Sequence, residues 1–349
     1  MRILYLYTEV MAYTIATIKE LLKSGVEIHL VHWDKDKLSQ YKVTSHKGLK
    51  IYPRSALTKK ELLKLANFID PNLIVISGWQ DKDYLTVARN LRKKNKIVVC
   101  GFDDQWEGSL KQYLAMTIGF FKFFNLFFTH AWVTGNLSFE YATKLGFNKK
   151  NIISDLYSAD LSCFHKKKFV KNKINKKKYP LNFLVVCRVE EIKGIKILIK
   201  AWKKFYKKNK KWSLKVIGNG SLKKEILNIK GLNAKNFTQQ KYLVDEISNA
   251  GCLILPSLKE PWGVVVHEFA SAGLPLILSN KVGAADHFLI NGYNGYLFDA
   301  GNSNSLLDKM NMISSLSKKE LIQMSKNSYR ISEKITPHTS ANNLLSLLK

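Results

Sequence analysis

Arg188 and Lys193 stand five residues apart, just beyond the apolar run Phe183-Leu184-Val185-Val186. On a loop that carries a strand into a helix, both cations reach one point past the strand's carboxyl end, where helix amides also converge. A guanidinium fork beside an ammonium suits a diphosphate, whose charge is spread over several oxygens. Gly218-Asn219-Gly220 ends the next apolar run, Leu214 to Ile217, and leaves the backbone open to a ligand. Glu260 and Glu268 bracket a third turn, through Pro261 and Gly263, after the run Cys252 to Leu255. Carboxylates repel phosphate, so they are better suited to the hydroxyls of a sugar or a ribose. Taken singly, each feature has a plain alternative: two surface cations on a loop, or two solvated acids on an ordinary strand–turn–helix. Together, three strand ends in one half of the chain carry complementary chemistry.

The elements that must position these residues alternate along the whole chain. Ile3 to Tyr7 reads as a strand, Ile15, Ile18, Leu21 and Leu22 as one face of a helix, and Val26 to Trp33 as the next strand. Helices over 59–68 and 84–93 alternate with strands over 73–77 and 96–100, and the second strand ends at Gly101-Phe102-Asp103-Asp104. Further strands are expected over 131–134 and 151–154, with a helix over 138–144 between them. A second series starts at Leu181, with a helix over 195–206 after the first strand. Such alternation predicts parallel sheets wound on both faces, an α/β class. With 349 residues the chain suits two domains. We expect residues 1–165 and 181–325 as the two domains, 166–180 as a basic linker, and 326–349 as a helical segment crossing back to the first domain.

Composition narrows the function classes. Lys and Arg number 56 against 27 Asp and Glu, a formal net charge of +29, which attracts polyanions or phosphorylated ligands. Part of the excess follows from a bias toward Lys, Asn and Ile. The four cysteines are scattered, without ligand spacing, so neither a disulfide framework nor a zinc site is expected. No P-loop, G-x-G-x-x-G or HExxH pattern occurs, which argues against nucleotide hydrolysis, dinucleotide redox chemistry and a bound metal. The first residues form a short strand rather than a signal peptide.

Two stretches admit a membrane reading. Leu114 to Phe128 is apolar on most faces of a helix, with Lys111 and Lys122 close by, and suits either a buried core or a bilayer interface. Lys122, Asn125, Thr129 and His130 interrupt it, so it does not span a bilayer. The basic run His165 to Tyr179 suits a solvated loop or a contact with anionic headgroups.

Several motifs occur in a fixed order: Arg188-x4-Lys193-Gly194, Gly218-x-Gly220, Pro256-Ser257-x2-Glu260-Pro261-Trp262-Gly263-x4-Glu268, Ala272-Gly273-Leu274-Pro275 and Asn291-Gly292-x-Asn294-Gly295. In order and spacing they resemble the nucleotide-sugar-binding half of the retaining family-4 glycosyltransferases. The resemblance covers residues 181–300 and implies the GT-B fold, two facing Rossmann-like domains. It implies transfer of a sugar from a nucleotide diphosphate, UDP- or GDP-linked, to a glycan hydroxyl with retention (EC 2.4 class), with no metal or other cofactor. Arg188 and Lys193 would neutralise the diphosphate, Glu260 would face the donor sugar, and Glu268 would bind the ribose. Amides at Trp262, Gly263 and Val264 would touch sugar and phosphate. The leaving phosphate would help to deprotonate the acceptor, so the two glutamates are not a glycosidase pair.

The first half departs from that pattern. Where similar enzymes often have a Gly-rich loop after the first strand, this chain has Thr8-Glu9-Val10-Met11-Ala12-Tyr13; where they often have a His before an Asp, it has Asp103 before Asp104. Asp103 and Asp104 are the acids expected on the acceptor side. Similar proteins usually build bacterial surface polysaccharides (lipopolysaccharide, O-antigen or capsule), which implies a cytoplasmic enzyme, peripheral at the inner face of the cytoplasmic membrane, with a lipid-linked glycan acceptor and an anionic membrane surface as partners. Two rivals remain: a same-fold transferase with a soluble acceptor, and a basic nucleic-acid-binding protein. The second requires lysines interleaved with exposed aromatics on one face. Here the lysines gather in the linker and on helices, so no nucleic-acid partner is expected.

Overall fold

The computed structural model describes residues 1–35, 41, 43, 45–120, 123–162, 164 and 179–348. The expected basic linker lies outside the described residues apart from Tyr179 and Pro180, as does Lys122. The chain divides into two compact units, Met1–Ala159 with Ile335–Lys349, and Asp160–Lys334.

The first unit holds strands β1 (Arg2–Tyr7), β2 (Glu27–His32), β3 (Leu49–Pro53), β4 (Leu73–Ser77), β5 (Ile97–Phe102), β6 (His130–Val133) and β7 (Ile152–Ile153). Their order in the sheet is β3-β2-β1-β4-β5-β6-β7 and every pairing is parallel. Strands covered on both faces read as apolar runs, and β1 shows why. Ile3, Tyr5 and Tyr7 enter one core with Ile15 and Ile18, while Leu4 and Leu6 enter the other with Leu62, Val87 and Phe102. The helix Lys59–Ile69 starts in a capping box: Thr58 N donates to Glu61 Oε2 at 2.8 Å, and Glu61 N to Thr58 Oγ1 at 3.3 Å. The helix Pro337–Leu345 belongs to this unit. Its Ala341 and Leu344 are buried in the core of β1, and Ser340 Oγ donates to the Asp155 carbonyl at 2.6 Å.

The second unit holds β8 (Asn182–Val186), β9 (Ser213–Ile217), β10 (Leu232–Lys235), β11 (Cys252–Leu255), β12 (Leu276–Ser279) and β13 (Gly295–Phe298), ordered β10-β9-β8-β11-β12-β13 and parallel. Both sheets are therefore doubly wound, with the strand order reversing between β1 and β4 and between β8 and β11. The expected α/β class with parallel sheets is what the structure has.

Three local differences separate the sequence reading from the structure. The sequence reading passes over β3 and β10, which are edge strands. Leu232–Lys235 alternates half-buried and exposed positions, and Leu49–Pro53 ends in a proline, so neither presents an apolar run. The apolar stretch expected as one helix over 114–128 is the helix Leu110–Phe120 followed by a 3₁₀ turn, Phe123–Leu126. Phe124 and Phe128 are buried, but Leu110, Leu114 and Leu126 are 89%, 62% and 51% exposed. Among the described residues no helix is long and apolar enough to cross a membrane.

Candidate functional site

Ligands of doubly wound sheets gather beyond the strands' carboxyl ends where the order reverses. In the second unit that point lies between β8 and β11, and the loops after both strands are locked together. Gly194 sits at φ +70° before the helix Ile195–Lys208, and a Cβ there would fall 1.9 Å from the Pro256 carbonyl oxygen. Only glycine lets the two backbones approach this closely. Leu258 N donates to the Ile192 carbonyl at 2.8 Å, closing the same contact.

On this floor Lys193 Nζ lies 2.6 Å from Glu260 Oε2, with the two side chains 12% and 14% exposed. Ser257 Oγ donates to the same carboxylate oxygen at 3.3 Å. The Glu260 backbone is held on both sides: its N donates to the Lys281 carbonyl at 3.1 Å, and its carbonyl accepts from Gly283 N at 3.0 Å. The carboxylate is thus fixed by a bridge to the segment after β12, not left on a loose turn.

The loop after β9 is stapled to the loop after β8. Val189 N donates to the Asn219 carbonyl at 2.8 Å, and Ser221 donates to Glu190 through its N at 2.9 Å and its Oγ at 2.6 Å. Those hydrogen bonds from Ser221, side chain first, hold the Glu190 carboxyl below its usual range. A Cβ at Gly218 would meet the Cys187 carbonyl oxygen at 1.8 Å, so the glycines of Gly218-x-Gly220 serve close backbone packing. Arg188 is exposed on the loop, and its side chain makes no hydrogen bond or ion pair among the described residues. Next to it the Cys187 thiol is pushed up to about 12, chiefly by burial, which makes it a poor nucleophile.

Past β11, Gly263 at φ +88° begins the helix Val264–Ser271, and no side chain caps its first turn. Trp262 is buried against Phe288 and His287, and its indole Nε1 is buried without a hydrogen-bond partner. Glu268 lies half-buried on that helix, beside His267, whose Nε2 donates to the Ser332 carbonyl at 3.0 Å. The structure therefore brings Arg188, Lys193, Gly218, Gly220, Glu260, Trp262, Gly263, Val264 and Glu268 onto three neighbouring strand ends of one sheet. It adds a contact for Ser257, which the motif contains but to which the sequence assigned no role.

Asp103 and Asp104 lie in the first unit, directly after β5. The Asp103 carbonyl accepts from Ser138 Oγ at 3.2 Å. Burial first, and the Asp103 charge among lesser causes, raise the Tyr7 and Tyr157 phenols well above their usual range. At this sheet's own point of reversal, Thr8 N donates to Ser77 Oγ at 2.8 Å. The tyrosines and this hydroxyl pair had no signal in the sequence beyond their places at strand ends.

Residues 166–331 match the model of the family described as Glycosyl transferases group 1, a stretch just short of half the chain. Among curated proteins, the chain is 29% identical over 193 residues to the capsular polysaccharide biosynthesis glycosyltransferase CapM of Staphylococcus aureus, covering 52% of this chain and 48% of that one. It is 32% identical over 127 residues to an uncharacterized glycosyltransferase of Methanocaldococcus jannaschii, 34% of each chain. The matches thus span between a third and a half of these relatives. Among solved structures, Anabaena HepE in complex with UDP and glucose superposes with a TM-score of 0.74 at 14% identity, over 100% of this chain and 99% of that one. The sucrose-phosphate synthase of Thermosynechococcus elongatus does so with a TM-score of 0.76 at 16% identity, over 99% and 98%. Identities this low speak for the fold, which is GT-B, two Rossmann-like parallel-sheet domains. Residues 166–331 thus match the group 1 glycosyltransferase model within a chain whose fold is GT-B.

Proposed function

We propose that this chain is a retaining glycosyltransferase that moves a sugar from a nucleotide diphosphate to a hydroxyl of a glycan acceptor. The observation that carries this reading is the Lys193–Glu260 pair on the rigid floor between β8 and β11, beside the exposed Arg188. Arg188 and Lys193 take the diphosphate and stabilise the charge that builds on it as it leaves, with no metal required. Glu260 binds the donor sugar and Glu268 the ribose. Trp262, Gly263 and Val264 border sugar and phosphate at a helix start with free amides. The acceptor oxygen bonds to the anomeric carbon as that carbon's bond to the β-phosphate oxygen breaks, and the hydroxyl proton passes to the leaving diphosphate. Asp103 and Asp104 serve the acceptor from the first unit.

UDP and glucose in HepE support a nucleotide-sugar donor, and capsule synthesis by CapM supports a surface polysaccharide as product. A lipid-linked acceptor at the inner face of the cytoplasmic membrane is supported by the exposed Leu110, Tyr113, Leu114, Ile118, Phe123 and Leu126 together with a net charge of +29. The test is a thermal-shift and turnover screen over UDP-, GDP-, ADP- and TDP-sugars. One nucleotide class should raise the melting temperature and lose its sugar; no shift and no turnover with any of them sinks the proposal.

A further inference from the structure

The first unit contains a cavity, at the amino ends of its strands, which the proposed chemistry does not use. It has a volume of about 440 Å³, and Arg92, Asn125, Phe128, Phe147, Asn148 and Asn151 line it. Its level in the sheet is set by Thr129, whose N donates to the Val98 carbonyl at 2.8 Å, near the start of β5. Asp103 lies five residues further along that strand's path, roughly 16 Å away at the rise of a parallel strand.

The lining has a particular chemistry. Arg92 has its Nε buried without a hydrogen-bond partner, and among the described residues no carboxylate pairs with its guanidinium. A buried guanidinium nitrogen left unsatisfied costs free energy unless a ligand or water meets it. The side-chain amides of Asn125 and Asn151 make no hydrogen bond among the described residues either. No acid lines the cavity. Burial, and then the nearby Arg92, hold the His130 imidazole below its usual range, so Arg92 is the cation there at neutral pH.

We propose that this cavity binds an acidic saccharide unit, a sugar ring bearing a carboxylate. The guanidinium takes the carboxylate in a fork, the free amides take ring hydroxyls, and Phe128 and Phe147 offer apolar surface to the C–H face of a ring. The volume falls within the range of organic ligands and exceeds what one inorganic anion fills. The site would let the protein hold an acidic glycan apart from the reacting hydroxyl, and it does not depend on the donor reading.

The experiment is a titration of the full, isotope-labelled chain by amide chemical shifts, with methyl glucuronide, methyl glucoside and inorganic phosphate as separate probes. Methyl glucuronide should shift the amides of Phe147, Asn148 and Asn151 saturably, and Arg92→Gln should weaken it at least about tenfold, the loss of a charge-assisted contact. Asn151→Ala, which keeps the cation, should weaken it less, and it tests the site should Arg92→Gln not fold. Saturation by phosphate while the glucuronide is silent overturns the saccharide assignment. Equal binding of glucuronide and glucoside, or no saturable shift with any probe, overturns it as well.

Discussion

Lys193 Nζ and Glu260 Oε2 sit 2.6 Å apart, joining the residue expected to hold a diphosphate to the one expected to hold a sugar. Without a donor, each cancels the other's charge in a pocket that is mostly shielded from water. A donor phosphate would compete with the carboxylate for the ammonium, so donor entry costs the pair and releases Glu260 toward the sugar. Lys193→Met should lower kcat/KM by roughly 10²–10³-fold, the scale for losing one preorganised group on a leaving charge. It should also lower stability by about 1–3 kcal/mol, because Glu260 stays shielded without its ammonium. Steady-state kinetics and denaturant unfolding of one preparation check both.

Glu260→Gln and Glu268→Ala should separate two functions. The first should lose transfer by at least about 10²-fold while binding the bare nucleoside diphosphate normally. The second should weaken nucleotide binding about ten- to hundredfold, the equivalent of a lost charged hydrogen bond. Calorimetric titration with the diphosphate, beside turnover, distinguishes them; equal loss of nucleotide binding in both would refute the division of labour.

Gly194→Ala is a test of the floor and not of the charges. The new methyl would face the Pro256 carbonyl at a left-handed φ of +70°. Strain and overpacking together should cost about 3 kcal/mol or more, read as a fall in melting temperature.

Glu246 provides a pH signature of stability independent of catalysis. Burial alone would raise its carboxyl, but hydrogen bonds from Lys215 at 2.6 Å and from Lys235 outweigh it and hold the group below its ordinary 4.5. A pKa lowered by folding contributes stability above the unfolded value, and that contribution disappears as pH falls through the folded value. Wild-type stability should therefore decline below about pH 4.5 more steeply than that of Glu246→Gln, which lacks the titrating group. Denaturant midpoints at pH 6 and pH 3.5 measure the difference, and parallel curves would contradict it.

The exposed apolar ridge gives a membrane prediction. Replacing Leu110, Leu114 and Leu126 with Gln together should reduce sedimentation with anionic vesicles by about tenfold or more, while melting temperature holds. Binding that depends on salt alone and ignores this triple change would leave the lysines as the sole contact.

The architecture was legible because strands covered on both faces read as apolar runs, and because Gly and Pro punctuate their ends. The edge strands Leu49–Pro53 and Leu232–Lys235 escaped for the same reason, since edge positions require no continuous apolar signal. Arg188, Lys193 and the two glutamates were readable from type and spacing. Their assembly depended on strand order, which places β11 beside β8 although about 65 residues separate them, and local pattern does not encode that neighbour. The pairing of Lys193 with Glu260 follows from that topology, and the tyrosines around Asp103 follow from the strand order of the first sheet. The stretch 114–128 was ambiguous because an apolar helix looks alike in a core and on a surface, and only the fold shows that Leu110 and Leu114 face outward.

The helix Pro337–Leu345 seals the core of β1 from the far end of the chain, with Leu344 buried against residues that include Ile15 and Ile18. During synthesis, Asp160–Lys334 emerges whole before that helix does. The half that begins first therefore finishes last, and until then it exposes the apolar groove where Ala341 and Leu344 will lie. A chain cut short at about residue 334 would present a complete second unit and an open first one, a natural client for a chaperone.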